Sequence, residues 1–225
     1  MLIDHVGFLL FPRVLILRYI GRIALPIFAY FIAEGCIHTR SKRKYFLTVL
    51  SLALICQAVY FAEDLINGGI RSVSLNILFT FALSIILCSA YLNMTSAINP
   101  TLLQKITSIL LFVLALGASI FLCVFLNRFS PLPITFDYGI AGVTLPLFAV
   151  LSTRRERQLP LFFLGIIIFN IIMSAKLSYT WYSLLSIPLL LLYNGERGTR
   201  RLKYFFYLFY PLHFALIYLI KLIAF

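Results

Sequence analysis

The apolar stretch 17–40, LRYIGRIALPIFAYFIAEGCIHTR, constrains this chain more than any other segment. About twenty apolar residues make a helix long enough to cross a hydrocarbon layer of ~30 Å. Yet Arg18 and Arg22 sit inside the run and Glu34 lies near its end. A guanidinium deep in a bilayer costs about 3 kcal/mol or more unless it faces a partner or a watery cavity. Residues four apart share one face of a helix, so the two arginines point the same way, and their face is expected to line a working site.

The rest of the composition agrees with a membrane protein. Hydrophobic residues make up 62% of the chain and charged residues 12%, and mean hydropathy is +1.02. Soluble domains carry roughly 45–50% apolar and ~25% charged residues. The apolar runs are continuous and lack a period of two, which selects helices over a membrane barrel. At ~20 residues per span, about nine hydrophobic helices fill the 225 residues, so the fold class is an all-α polytopic bundle of one domain, 1–225. The net charge of +12 sits in short loops between apolar runs, where it sets topology, and no nucleic-acid partner is expected. Cys36, Cys56, Cys88 and Cys123 are scattered without a C-x-x-C pair, and read as small packing residues with no metal or disulfide role.

In chain order the sequence predicts helices over 1–11, 14–35 with a kink at Pro26, 45–61, 75–92, 106–126, 138–151, 159–173, a stretch reaching 193, and 205–225. The first is too short to span and reads as a half-span or a truncated helix. A turn is expected at Gly68-Gly69, and Trp181 and Tyr182 read as interfacial anchors. Alternate loops hold twelve cations (Arg40, Lys42, Arg43, Lys44, Lys105, Arg154, Arg155, Arg157, Arg197, Arg200, Arg201, Lys203) against four (Arg13, Arg71, Arg128, Lys176). The richer set faces the cytoplasm by the positive-inside rule, which leaves the carboxyl end outside.

On that topology His5 lies ~9 Å and Arg18 ~6 Å below the outer end of their helices, with Arg22 one turn deeper. Asp4 is the carboxylate at that depth. Asp4, His5, Arg18 and Arg22 are therefore expected to share one outer-half pocket, with His5 as a general base oriented by Asp4, the favoured partner, or by a nearby group, and the arginines holding an anion. A plain neutralising ion pair and a satisfied interior histidine are the alternative. His213, near mid-membrane in YPLHF beside Tyr210-Pro211, is either a second base or a helix–helix hydrogen bond. Asn76, Asn170 and Gln57 read as interhelical contacts. Glu34 and His38, at i and i+4, lie at the cytoplasmic end of their helix and either close a mouth there or stay solvated. Arg40, Lys42, Arg43 and Lys44 anchor the topology, meet anionic lipid, and offer a place for the phosphates of a nucleotide-like cofactor. There is no P-loop, G-x-G-x-x-G, G-x-S-x-G or H-E-x-x-H motif.

The segments MLIDHVG, LRYIGRIALPIFAYFIAEGCIHTR, KYFLTVLSLALICQ, NILFTFALSI, DYGIAGV, SIPLLLLYNGERG and KYFFYLFYPLHFALIYLI together resemble the TraX family over essentially the whole chain. The founding member belongs to conjugative plasmids and acetylates the amino terminus of pilin. More loosely, the family resembles integral-membrane acyltransferases that take acyl groups from cytoplasmic acyl-CoA. The resemblance implies a multi-pass protein of a bacterial cytoplasmic membrane, acetyl-CoA as donor, and a pilin-like or envelope-glycan acceptor. It makes Asp4, His5, Arg18, Arg22, Glu34, His38, Asp137, Tyr210 and His213 the site residues, with His5 and His213 as candidate bases. Because family members carry apolar sequence ahead of IDH, it also implies a truncated first helix. A transporter or flippase for an anionic substrate, and a non-catalytic pilus or fimbria assembly factor, remain the alternatives.

Overall fold

The protein is described by a computed structural model covering residues 1–66, 69, 72–95, 100–174, 178–196 and 200–224. Gly68, Arg71, Lys176 and Arg197 lie outside the described residues, as do the side chains of Arg200, Arg201 and Lys203.

Helix α1, Leu2–Leu9, turns back through Pro12 into α2, Leu15–Gly21, and α3, Ala24–His38. Together α2 and α3 form one 24-residue apolar span, Leu15–His38. The break falls at Arg22-Ile23 rather than at Pro26, where the kink was expected. Proline has no N–H for the carbonyl four residues earlier, and that carbonyl belongs to Arg22. Pro26 thus sits in the first turn of α3, where its missing donor costs nothing.

Next come α4, Lys42–Ile66; α5, Ile77–Thr95; α6, Leu102–Phe129; α7, Gly139–Val150; and α8, Arg155–Ser174. A 3-10 stretch, Ser178–Leu185, runs into α9, Ser186–Leu192, and α10 is Arg200–Ala224. Among the described residues these helices group into nine apolar units, five of them long and apolar enough to cross a membrane. The spans overrun their expected ends, because basic and polar loop residues such as Lys42 and Arg155 join the terminal turns. The chain therefore has the architecture of a multi-pass membrane protein.

Two short strands interrupt the all-helical pattern. β1, Val73–Leu75, pairs in parallel with β2, Ile134–Phe136, with Ser74 opposite Thr135. Both precede helices that start from the same end of the bundle, so the two connections run side by side. Gln57 Nε2 donates to the carbonyl of Ser74 at 3.1 Å, and Asn76 Nδ2 donates to the Ala53 carbonyl at 2.9 Å. Gln57 and Asn76 thus tie α4 to β1 and the start of α5. Asn170 Nδ2 likewise donates to Ser183 Oγ at 2.9 Å, joining α8 to the 3-10 stretch.

α5 is the central post, touching α3, α4, α6 and α7. Small residues let these helices approach, as expected in lipid, where apolar burial no longer drives association: Ala29, Ala33, Cys36, Ala82, Cys88 and Ala149 are all buried. All four cysteines are buried free thiols. α6 stands at the edge and turns Val113, Phe121 and Phe125 outward. α1 lies close along α2, with Gly7 against Leu17 and Gly21 against Asp4.

Candidate active site

The close α1–α2 crossing delivers a carboxylate to the two arginines. Arg22 Nη2 lies 2.6 Å from Asp4 Oδ1 and 2.8 Å from Oδ2. Arg18 Nη1 lies 3.1 Å from Oδ1 and donates to the Asp4 carbonyl at 3.2 Å. Arg22 is 4% exposed, whereas the side chains of Arg18 and Asp4 keep 15% and 16%. Arg22 also donates to Tyr138 Oη. Its guanidinium carbon is 5.4 Å from the Tyr179 ring centre, while that of Arg18 is 4.9 Å from Phe8. The arginines are thus caged by a carboxylate and aromatic rings. Tyr138 has φ 59°, a left-handed conformation that costs a side-chain-bearing residue about 1–2 kcal/mol. Such strain, at the cap of α7, seats its phenol against Arg22.

The imidazole of His5 has a different partner from the one the sequence suggested. Asp4 spends both oxygens on arginine, and among the described residues it makes no hydrogen bond to His5. Instead His5 Nδ1 lies 3.2 Å from Nε2 of His213, which is 3% exposed. His213 Nδ1 lies 3.0 Å from the Phe209 carbonyl. A carbonyl only accepts, so His213 Nδ1 carries the proton and, in the neutral ring, Nε2 is the acceptor. His5 Nδ1–H then donates to it, which leaves a lone pair on His5 Nε2. Hydrogen-bond partners assign these tautomers. His5 also packs on Phe214, ring centres 4.2 Å apart, and Tyr60 and Tyr210 close the group through Phe214.

Two buried polar atoms here have no partner among the described residues: Nε of Arg22 and Oη of Tyr210. Tyr210 stands edge-on to His213, with ring centres 5.2 Å apart. Asp137 places its main chain in the structure, its N–H on the Leu75 carbonyl and its own carbonyl taking Thr80 Oγ1 at 2.8 Å.

Glu34 and His38 belong to a second group at the other end of α3. Gln158 Nε2 donates to Glu34 Oε1 at 2.7 Å, and Tyr30 Oη donates to Gln158 Oε1 at 3.0 Å. His38 Nε2 lies 3.4 Å from Glu34 Oε2. These side chains, with Arg155 and Tyr193, line a polar cavity of about 310 Å³, and Arg155 stacks on Tyr193. Of the basic cluster, Arg40, Arg43 and Lys44 are exposed and Lys42 is half-buried; Lys42 and Arg43 border a separate cavity between α4, α5 and α6.

Sequence reasoning missed Tyr138, Tyr179, Tyr60, Gln158 and Arg155 as neighbours of these groups. Gln158 left one signal, a polar residue at the mouth of an apolar run. Tyr138 left none, because its backbone conformation decides where its ring goes.

The chain is 31% identical over 219 residues to a protein named "Probable fimbrial assembly protein FimC, serogroup H1" of Dichelobacter nodosus, an alignment that covers 89% of this chain and 81% of that one. No solved structure matches it. The family model described as TraX protein matches residues 1–221, and the chain belongs to the TraX family.

Proposed function

We propose that this protein is an acetyltransferase of a bacterial cytoplasmic membrane, moving an acetyl group from cytoplasmic acetyl-CoA to an amine or hydroxyl exposed at the membrane, such as a pilin-like amino terminus or an envelope glycan. The observation that carries this reading is the His5–His213–Phe209 hydrogen-bond chain, which leaves a lone pair on His5 Nε2, one residue from the Asp4 that holds the arginine pair. This unprotonated Nε2 takes the acceptor's proton as the nucleophile attacks the thioester carbonyl. His213 then accepts the hydrogen bond of a His5 ring that has become positive. Arg18 reaches Asp4 through Nη1 alone, so its remaining N–H groups and Nε–H of Arg22 can meet the developing oxyanion. The C–S bond breaks, the thiolate takes up the proton, and acetylated acceptor and free CoA leave.

The donor's door in this reading is the polar cavity at Glu34, His38 and Arg155, at the far end of the α2–α3 span from Arg18. The exposed Arg40 and Lys44, beside Lys42 and Arg43, draw the polyanionic donor to that face.

A second reading is favoured by the name of the Dichelobacter relative and by Asp4, which already neutralises the arginines. On it the protein is a non-catalytic fimbrial assembly factor, and its polar residues only fasten helices. Purified protein with labelled acetyl-CoA separates the two. An enzyme consumes thioester, and loses ~10²–10⁴-fold in His5→Ala and a clear share in Arg18→Ala. An assembly factor leaves acetyl-CoA intact under every acceptor tried, which would remove the enzyme assignment.

A further inference from the structure

We propose that the cavity between α4, α5 and α6 binds an anionic glycerophospholipid of the cytoplasmic leaflet, with the phosphate on Lys42 and Arg43 and an acyl chain against Leu111 and its neighbours. This goes beyond the acyl-transfer reading, which uses the other cavity. Its volume of about 350 Å³ falls in the ~300–1,000 Å³ range of small-molecule sites.

Three observations point to this occupant. Charge is the first. Among the described residues no carboxylate lies within ion-pair distance of Lys42 or Arg43, and Lys42 Nζ donates only to the neutral Asn93 Oδ1 at 3.1 Å. The second is Ser89, a lining residue whose buried Oγ has no partner among the described residues, which leaves a donor unspent beside the cavity. Access is the third. Ile86 and Leu111 border the cavity and are exposed on the bundle's outer surface, so a bilayer lipid enters sideways between α5 and α6. Basic pockets between spanning helices on the cytoplasmic side are where anionic head groups bind. A free phosphate would answer the cations and leave the apolar wall uncovered.

The test is native mass spectrometry of the detergent-solubilised full chain titrated with palmitoyl-oleoyl phosphatidylglycerol or with the phosphatidylcholine of the same chains. Expected is a phosphatidylglycerol preference of ~30-fold, the contribution of two surface cations. Lys42→Gln/Arg43→Gln should bring it to the phosphatidylcholine level. Arg43 is exposed and Lys42 half-buried, and the thermal midpoint checks that the fold is kept. Ser89→Leu, which fills the cavity without changing charge, should weaken both lipids. Equal adducts of the two lipids in the wild type, or undiminished phosphatidylglycerol adducts in the double variant, would overturn the assignment. So would glycerol 3-phosphate displacing the lipid as well as whole phosphatidylglycerol does. If the double variant loses acetyl-CoA binding and keeps its lipid, the cations serve the donor, and the lipid assignment fails while acyl transfer stands.

Discussion

His5 and His213, 208 positions apart, share a hydrogen bond of 3.2 Å between Nδ1 and Nε2. α1 and α10 thus meet through one imidazole pair. If the pair acts as a unit, His5→Ala and His213→Ala should each lower turnover by ~10²–10⁴-fold. The double variant should be no slower than the worse single one, because groups that act together are not additive. Steady-state acetyl-CoA consumption reads this. Losses that multiply would mean separate roles.

The Asp4–Arg22 pair gives a stability prediction. Asp4→Asn leaves a buried guanidinium without its counter-charge, at a cost of ~3–5 kcal/mol. The double replacement Asp4→Leu/Arg22→Met removes both charges and should be less destabilising than Asp4→Asn alone. Thermal unfolding in detergent measures the difference, and a double variant that melts lowest would contradict the pairing. Arg18, more exposed, should tolerate Arg18→Gln with a smaller loss.

Gly21 and Gly117 make a matched pair. A Cβ at Gly21 would run into the Asp4 side chain, 2.5 Å from Oδ1, while one at Gly117 meets nothing within 4 Å. Gly21→Ala should therefore cost ~1–3 kcal/mol by overpacking. Gly117→Ala, on the lipid-facing α6, should gain ~0.4–1 kcal/mol by stiffening the unfolded chain. Equal midpoints for the two variants would count against the α1–α2 approach.

At the far end of α3, Gln158 joins Tyr30 to Glu34. Gln158→Leu strands both partners and should cost ~1–3 kcal/mol. Tyr30→Phe removes only a donor and should cost ~1 kcal/mol. If the cavity is the donor's door, Gln158→Leu also raises the KM for acetyl-CoA with little change in kcat, the pattern of lost ground-state binding.

Much of this architecture can be read from the chain alone, because hydropathy over ~20 residues is a local property. Arg18 and Arg22 announce a partner by being where charge is expensive, and Asp4 was within reach by depth alone. The partner of His5 was not legible: i and i+1 on a helix do not face each other, so Asp4 and His5 diverge to different neighbours, and only the docking of α10 brings His213 in. The break at Arg22-Ile23 was misplaced for a simpler reason. A proline acts on the carbonyl one turn before it, and the sequence reading put the bend at the proline itself. The β1–β2 pairing went unseen because three-residue strands carry no usable periodicity, and what aligns them is that α5 and α7 start from the same end.

Acyl transfer by the His5–His213 centre is tested most directly in inside-out membrane vesicles carrying the protein and supplied with labelled acetyl-CoA. Free CoA thiol and vesicle-bound acetyl label should appear in equal amounts, at least ~100-fold faster for the wild type than for His213→Ala at matched protein content. Equal rates in the two, or no thiol release above empty vesicles, would contradict it.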